Sequence, residues 1–139
     1  MGLADAESAE HGVPSGNVLI TAAACPIQPG KPGGPKLQGA AKIRLRRGTR
    51  AWEIYGQDEV EERYFCSYEV NPGYYGALED AGLVLSGFSE EDEVRVAELP
   101  AHSFFVGTLF QPQLSSEAGK PHPLISAFLR ASSARPLTS

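Results

Sequence analysis

Cysteine, basic charge and long apolar runs are all scarce in this sequence of 139 residues. Two cysteines cannot form the disulfide framework of a small secreted scaffold. Twelve lysines and arginines against 17 aspartates and glutamates give a formal net charge of −5, which argues against a nucleic-acid-binding protein. The longest apolar stretch, residues 104–110, is too short to span a bilayer, and the start shows no signal-peptide pattern. We therefore expect a cytoplasmic protein that binds neither nucleic acid nor a membrane.

Histidine is also scarce, and its three copies are far apart. His11, His102 and His122 show none of the spacings at which histidines and cysteines bind zinc. The sequence therefore predicts no metal site, and it contains no motif that indicates a cofactor.

The length and a hydrophobic content of 42% fit a single domain over residues 1–139. Glycine and proline are abundant but clustered: residues 22–39 hold four of each, which predicts an irregular loop. Residues 132–139 are expected to form a frayed tail.

Apolar periodicity predicts alternating strands and helices in the rest of the chain. Strands are expected at residues 17–21, 42–46 and 61–70, the second with Ile43 and Leu45 pointing to one face. Thr49 is placed to cap a short helix that ends before Gly56. Asn71 and Pro72 are expected to open a second helix, which runs to Gly82.

The C-terminal half predicts an antiparallel hairpin, a strand and a last helix. Residues 83–88 and 94–99 form the hairpin around an acidic turn. Residues 104–110 are apolar on both faces, which is typical of a central strand covered on both sides. The last helix is expected over residues 123–131. Together these elements predict a mixed α/β fold, in which ligands gather beyond the carboxyl ends of strands. Cys66, Ser67 and the segment after Phe110 lie at such ends.

Several short motifs in the same chain order resemble the glutaminase domain of CTP synthases. The match runs from about residue 40 to 131 and includes E-I-Y-G (53–56), E-E-R (61–63), Y-E-V-N (68–71), L-E-D-A-G-L (78–83), E-L-P-A-H-S-F-F-V (98–106), F-Q-P-Q (110–113) and P-H-P-L (121–124). The resemblance implies a partial class I glutamine amidotransferase (flavodoxin-like) fold, with a mixed sheet, an antiparallel hairpin and flanking helices.

The resemblance also implies a function, which the residues at the catalytic positions call into question. That family hydrolyses glutamine with a Cys, a His and a Glu and passes ammonia to a synthetase domain for pyrimidine nucleotide synthesis. Gln111 and Gln113 stand where the family motif F-H-P-E has its His and Glu. Ser67 replaces the arginine that holds the substrate's carboxylate, beside Tyr68 and Glu69 at the expected substrate site. The nucleophilic Cys would lie upstream of Met1.

Each candidate residue also has a structural interpretation. Cys66 is either a relocated nucleophile, with Glu69 as its base, or a small buried apolar residue. Gln111 and Gln113 either bind a polar ligand or are hydrogen-bonded remnants of a lost site. The basic cluster over residues 42–50 is interpreted as a solvated strand face.

Three hypotheses follow for the function. The first is a pseudoenzyme that binds a small molecule or a protein and releases no ammonia from glutamine. The second is a cysteine-dependent or other hydrolase or transferase of altered specificity that acts on a small amide-like substrate. The third is a truncated glutaminase. We also expect the isolated chain to be marginally stable, and to form a homo-oligomer or to need an upstream half-domain or synthetase partner, because strand 104–110 would otherwise expose apolar surface.

Overall fold

A computed structural model describes residues 2–12, 15–22, 38–66 and 68–134. It contains eight strands, in chain order β1 (Ala6–Ser8), β2 (Asn17–Ala22), β3 (Gln38–Leu45), β4 (Glu59–Phe65), β5 (Tyr68–Val70), β6 (Val84–Phe88), β7 (Val94–Glu98) and β8 (Val106–Thr108). Its α-helices are α1 (Arg50–Tyr55), α2 (Tyr75–Asp80) and α3 (Pro123–Ser133). Short 3₁₀ turns occur at Ala9–His11, Pro72–Tyr74 and Pro112–Ser115. The predicted mixed α/β class is confirmed.

The strands form two sheets. The small sheet has the order β1-β2-β5, with β1 parallel and β5 antiparallel to β2. The large sheet has the order β4-β3-β6-β7-β8 and is antiparallel throughout. The predicted β6–β7 hairpin is therefore confirmed, and it joins the middle of the large sheet to β8.

Helix α1 lies against the large sheet and is capped at both its N-terminus and its C-terminus. Thr49 accepts a hydrogen bond from the backbone N–H of Trp52, as the sequence predicts, and Gly56 ends the helix with φ 66°. The buried carboxylate of Glu98, at the end of β7, accepts hydrogen bonds from the first two helical N–H groups, those of Arg50 and Ala51, at 2.8 and 3.0 Å. This cap fixes α1 over the sheet.

The main core lies between the large sheet and helices α1 and α3. Its buried side chains are Ile43, Leu45, Ala51, Val96, Phe110 and Leu124. The predicted alternation of β3 is confirmed, since Ile43 and Leu45 are buried and Lys42, Arg44 and Arg46 are exposed. A second cluster, Leu78, Leu85 and Val94, packs helix α2 on the hairpin.

The prediction of a covered central strand over residues 104–110 is wrong. Within this run only Val106–Thr108 forms a strand, and among the strands that the structure describes β8 pairs with β7 alone, at the edge of the large sheet. Phe105 is 45% exposed, whereas Phe110 turns into the core. The apolar residues of this run therefore lie in two different places, at the edge of the sheet and in the core. They do not form a strand that is buried on both faces.

Three predicted boundaries also differ. The single strand expected at 61–70 is divided between β4 of the large sheet and β5 of the small sheet. Asn71 does cap the next element, by accepting a hydrogen bond from the N–H of Gly73, but that element is a 3₁₀ turn followed by α2. Ser132 and Ser133, which the sequence places in a frayed tail, belong to α3 instead, because that helix continues to Ser133. Most of the predicted 22–39 loop lies outside the described residues, as do residues 135–139, and the ends of that loop belong to β2 and β3.

Candidate functional site

A pocket of about 830 Å³ opens at the C-terminal end of β4. Its walls come from the start of β3, the end of β4 and the turn after β8, and they comprise Gly39, Ala40, Arg63, Tyr64, Phe65, Gln111, Gln113 and Leu114. The volume falls in the range of small-molecule sites, roughly 300–1,000 Å³. The two glutamines that the sequence singles out therefore line one cavity, together with residues of β4.

Gln111 is built into the edge of the large sheet. Its backbone N–H donates to the carbonyl of Arg63 at 3.1 Å, and its side-chain amide oxygen accepts from the N–H of Phe65. Arg63 and Phe65 flank Tyr64 in β4. In a parallel pair of strands, one residue of the neighbouring strand donates its N–H to the first of two such residues and accepts from the N–H of the second. The side chain of Gln111 thus acts as a backbone carbonyl, and its NH₂ group makes no hydrogen bond to the described residues.

The turn after Gln111 forms the outer wall of the pocket. The N–H of Leu114 donates to the carbonyl of Gln111 at 2.9 Å, and the guanidinium of Arg63 donates to the carbonyl of Leu114 at 3.4 Å. Gln113 is exposed in the same turn. Two apolar side chains remain open to solvent here, Phe65 at 45% and Leu114 at 43% exposure.

Behind the pocket lies a buried cluster that the sequence analysis did not identify as a unit: Tyr55, Glu62 and His122. Glu62 Oε1 accepts hydrogen bonds from the Tyr55 hydroxyl at 2.5 Å and from His122 Nε2 at 2.7 Å. Glu62 and His122 are each only 3% exposed. Burial, together with the hydrogen bond to the Glu62 carboxylate and its charge, raises the pKa of the Tyr55 hydroxyl far above its usual range.

The neighbours of His122 determine its tautomer and connect it to the pocket. Its Nδ1 accepts from the N–H of Leu124 at the start of α3, so the ring proton lies on Nε2 and points to Glu62. Its backbone N–H donates to the Ser116 hydroxyl at 3.0 Å, just beyond the turn that forms the outer wall. The imidazole also lies against Phe110, with ring centroids 6.5 Å apart. The cluster therefore holds α1, β4, α3 and the pocket turn together.

The other candidate residues lie beside the pocket or elsewhere. Cys66 is a half-buried free thiol that donates to the carbonyl of Tyr68 at 3.6 Å, and it is not among the lining residues. Tyr68 and the buried Glu69 belong to β5 in the small sheet. Ser67 lies outside the described residues. The roles predicted for these side chains stay predictions.

Sequence reasoning did not identify Arg63 as a pocket residue. The signal was present, because period two in β4 places Arg63 and Phe65 on the face opposite to the buried Glu62. This pattern alone does not predict a pocket, because the turn that faces Arg63 and Phe65 is distant in the sequence.

The described part of the chain shows no group of three or more His, Cys, Asp or Glu side chains that could hold a metal ion. No helix in that part is long and apolar enough to cross a membrane.

Comparisons with known proteins agree with the motifs. No family model matches the chain. It is 41% identical over 131 residues to the CTP synthase of Saccharolobus solfataricus, covering 94% of this chain and 24% of that protein. It is 44% identical over 100 residues to the CTP synthase of Rubrobacter xylanophilus, covering 71% of this chain and 18% of that protein. The chain thus spans a quarter or less of the length of these curated relatives.

The structure agrees with the sequence comparison. The glutaminase domain of Trypanosoma brucei CTPS, solved with bound acivicin, matches with a TM-score of 0.83 at 26% identity. That match covers 99% of this chain and 54% of the trypanosomal one. The predicted class I glutamine amidotransferase fold is therefore confirmed. By sequence and by fold, the chain is a glutamine amidotransferase-like domain of the CTP synthase type.

Proposed function

We propose that this domain does not release ammonia from glutamine and that its pocket at the former catalytic positions serves as a binding site. The resemblance to CTP synthases assigns a base and its orienting carboxylate to the positions of Gln111 and Gln113. A glutamine amide has no titratable nitrogen, so it cannot take a proton from a thiol. It also lacks the negative charge that stabilises an imidazolium.

The observation that carries this proposal is the pair of hydrogen bonds by which Gln111 completes the edge of β4. A side chain that serves as the acceptor for the N–H of Phe65 is engaged in the architecture of the sheet. Gln113, one residue beyond Pro112, is exposed in the turn and is separated from Gln111 by the bend. The two amides therefore act as donors and acceptors on a pocket wall, a role suited to binding a ligand.

A chimera tests the proposal in a complete enzyme. In the CTP synthase of Saccharolobus solfataricus, the 131-residue stretch that matches this chain would be replaced by the chain itself. CTP formation would be measured with glutamine and, separately, with an ammonium salt as the nitrogen source. Because external ammonia bypasses glutamine hydrolysis, the ammonium assay reports whether the chimera folds and whether the remainder of the enzyme works.

We expect ammonium-dependent CTP formation without glutamine-dependent formation. The variant Ser67→Arg/Gln111→His/Gln113→Glu is expected to regain glutamine-dependent formation in the same chimera. Glutamine-dependent activity of the unaltered chimera would overturn the proposal. Failure of the triple variant, with the ammonium assay intact, would contradict the assignment of the lost activity to these three positions.

A further inference from the structure

The pocket holds one charged group, the guanidinium of Arg63, among the neutral polar side chains of Tyr64, Gln111 and Gln113. Arg63 contributes a guanidinium, and no carboxylate of the described residues lies within ion-pair distance of it. Gln111 presents its NH₂ group, since its oxygen is engaged by the N–H of Phe65. No acidic side chain is among the lining residues that the structure describes. The complement of such a wall is a ligand with acceptor oxygens and a negative charge.

The apolar part of the wall adds a second requirement. Phe65 and Leu114 are about half exposed on the same rim, although both are large hydrophobic residues. Burying such surface is favourable by about 25 cal/mol per Å². A ligand that bears an apolar body beside its anionic group would cover both side chains while its charge reaches Arg63.

We propose that the pocket binds an organic monocarboxylate that has an apolar body and no amino group, with its carboxylate held by the guanidinium of Arg63. An α-ammonium group would lie next to that carboxylate and hence near Arg63, and no acidic side chain among the described residues of the wall would offset the repulsion between the cations. The planar guanidinium matches a carboxylate through two parallel N–H···O bonds. This inference rests on the proposed binding function of the site and names the class of its ligand.

The test uses three probes of one skeleton, with the whole chain labelled for ¹H–¹⁵N NMR titration. 3-Phenylpropanoate has the carboxylate, 3-phenylpropanamide replaces it by a neutral amide, and L-phenylalanine adds the ammonium group. We expect 3-phenylpropanoate to bind about tenfold more tightly than either analogue, the size expected for one hydrogen-bonded charged contact. The shifts should centre on residues 63–65 and 111–114. The preference should weaken at 1 M salt, where the Debye length is only about 3 Å.

Substitutions at Arg63 test whether its guanidinium causes the preference for the carboxylate over the amide. In Arg63→Met, which keeps the apolar stem and removes the charge, the carboxylate should bind no more tightly than the amide. Arg63→Lys should retain part of the preference, because a point charge replaces the planar pair of donors. Arg130→Met, on the exposed side of α3, is the matched control and should leave all three affinities unchanged.

Three results would each overturn the inference: no binding of any probe, equal binding of carboxylate and amide, or binding of L-phenylalanine as tight as that of 3-phenylpropanoate. A carboxylate preference that persists in Arg63→Met would overturn it as well. None of these outcomes bears on the proposed absence of glutamine hydrolysis, because the chimera experiment tests that proposal separately. If Arg63→Met does not give a dispersed spectrum, Arg63→Lys provides the comparison.

Discussion

Gln111 gives Phe65 the hydrogen-bond acceptor that a neighbouring strand would otherwise supply. The amide oxygen of Gln111 accepts from the N–H of Phe65 while the backbone N–H of Gln111 donates to the carbonyl of Arg63. Gln111, which the resemblance to the family motif places at the catalytic histidine, therefore has a defined structural role in this chain. Stability measurements on Gln111 variants can therefore test this structural role separately from any role in ligand binding.

The first prediction concerns this hydrogen bond. Gln111→Met removes the acceptor and should lower the free energy of unfolding by about 0.5–1.5 kcal/mol. Gln111→Glu keeps an acceptor oxygen and should stay close to the unaltered protein. Gln113→Met, at an exposed position of the same turn, is the control and should change stability by less than about 0.5 kcal/mol. Urea unfolding measures all three, and equal stabilities of the Met and Glu variants at position 111 would contradict the assignment.

The second prediction concerns the buried pair of Glu62 and His122. His122→Leu leaves the buried Glu62 carboxylate without the hydrogen bond from its imidazole partner, which should cost about 1–3 kcal/mol. The double variant Glu62→Leu/His122→Leu should be more stable than the sum of the two single losses indicates, since it removes the stranded charge. The exposed His11→Gln is the control. Additive losses in thermal or urea unfolding would show that the two side chains are not coupled.

The third prediction is a pH dependence at Tyr55. The pKa of its hydroxyl is raised by burial, by the hydrogen bond to Glu62 and by the Glu62 charge. A folded-state pKa above the unfolded value of about 10 stabilises the protein fully below pH 10, and this stabilisation is lost as the pH rises further. The stability advantage of the unaltered protein over Tyr55→Phe should fall by up to about 1.4 kcal/mol per pH unit above pH 10. Parallel stability curves of the two proteins between pH 8 and about 11.5 would contradict it.

The fourth prediction compares two glycines. A Cβ at Gly87 in β6 would lie 2.6 Å from Val96 Cγ2 and 3.1 Å from Ile43 Cγ2, so Gly87→Ala should cost about 1–3 kcal/mol through overpacking. A Cβ at Gly76 in α2 would meet nothing within 4 Å. Gly76→Ala should therefore stabilise the protein by about 0.5–1 kcal/mol, since alanine favours the helix. Differential scanning calorimetry should show the midpoints moving in opposite directions, and shifts of the same sign would contradict the packing around Gly87.

Local signals predicted much of the fold. The cap at Thr49, the stop at Gly56 and the inward alternation of Ile43 and Leu45 depend on neighbours in sequence, and all three are confirmed. The hairpin is confirmed for the same reason, because its turn and its two strands are contiguous.

Long-range placement could not be predicted from the sequence alone. Residues 104–110 give an apolar pattern whether β8 is central or at an edge, and only the pairing decides between the two. Tyr55, Glu62 and His122 are separated by up to 67 positions, so no local period connects them. The same holds for Gln111 and Phe65, whose contact depends on where the turn after β8 meets β4. Association with a second copy, an upstream half-domain or a synthetase partner stays a prediction, for which light scattering of the purified chain is the measurement.

Glutamate release from glutamine is the measurement that tests the proposed absence of glutaminase activity most directly. In the Saccharolobus chimera, the unaltered chain should give a rate no higher than that of buffer, while the ammonium assay confirms an intact enzyme. Glutamate release should appear once Ser67, Gln111 and Gln113 are changed to Arg, His and Glu. Release of glutamate by the unaltered chimera, above buffer and in proportion to enzyme, would contradict the account.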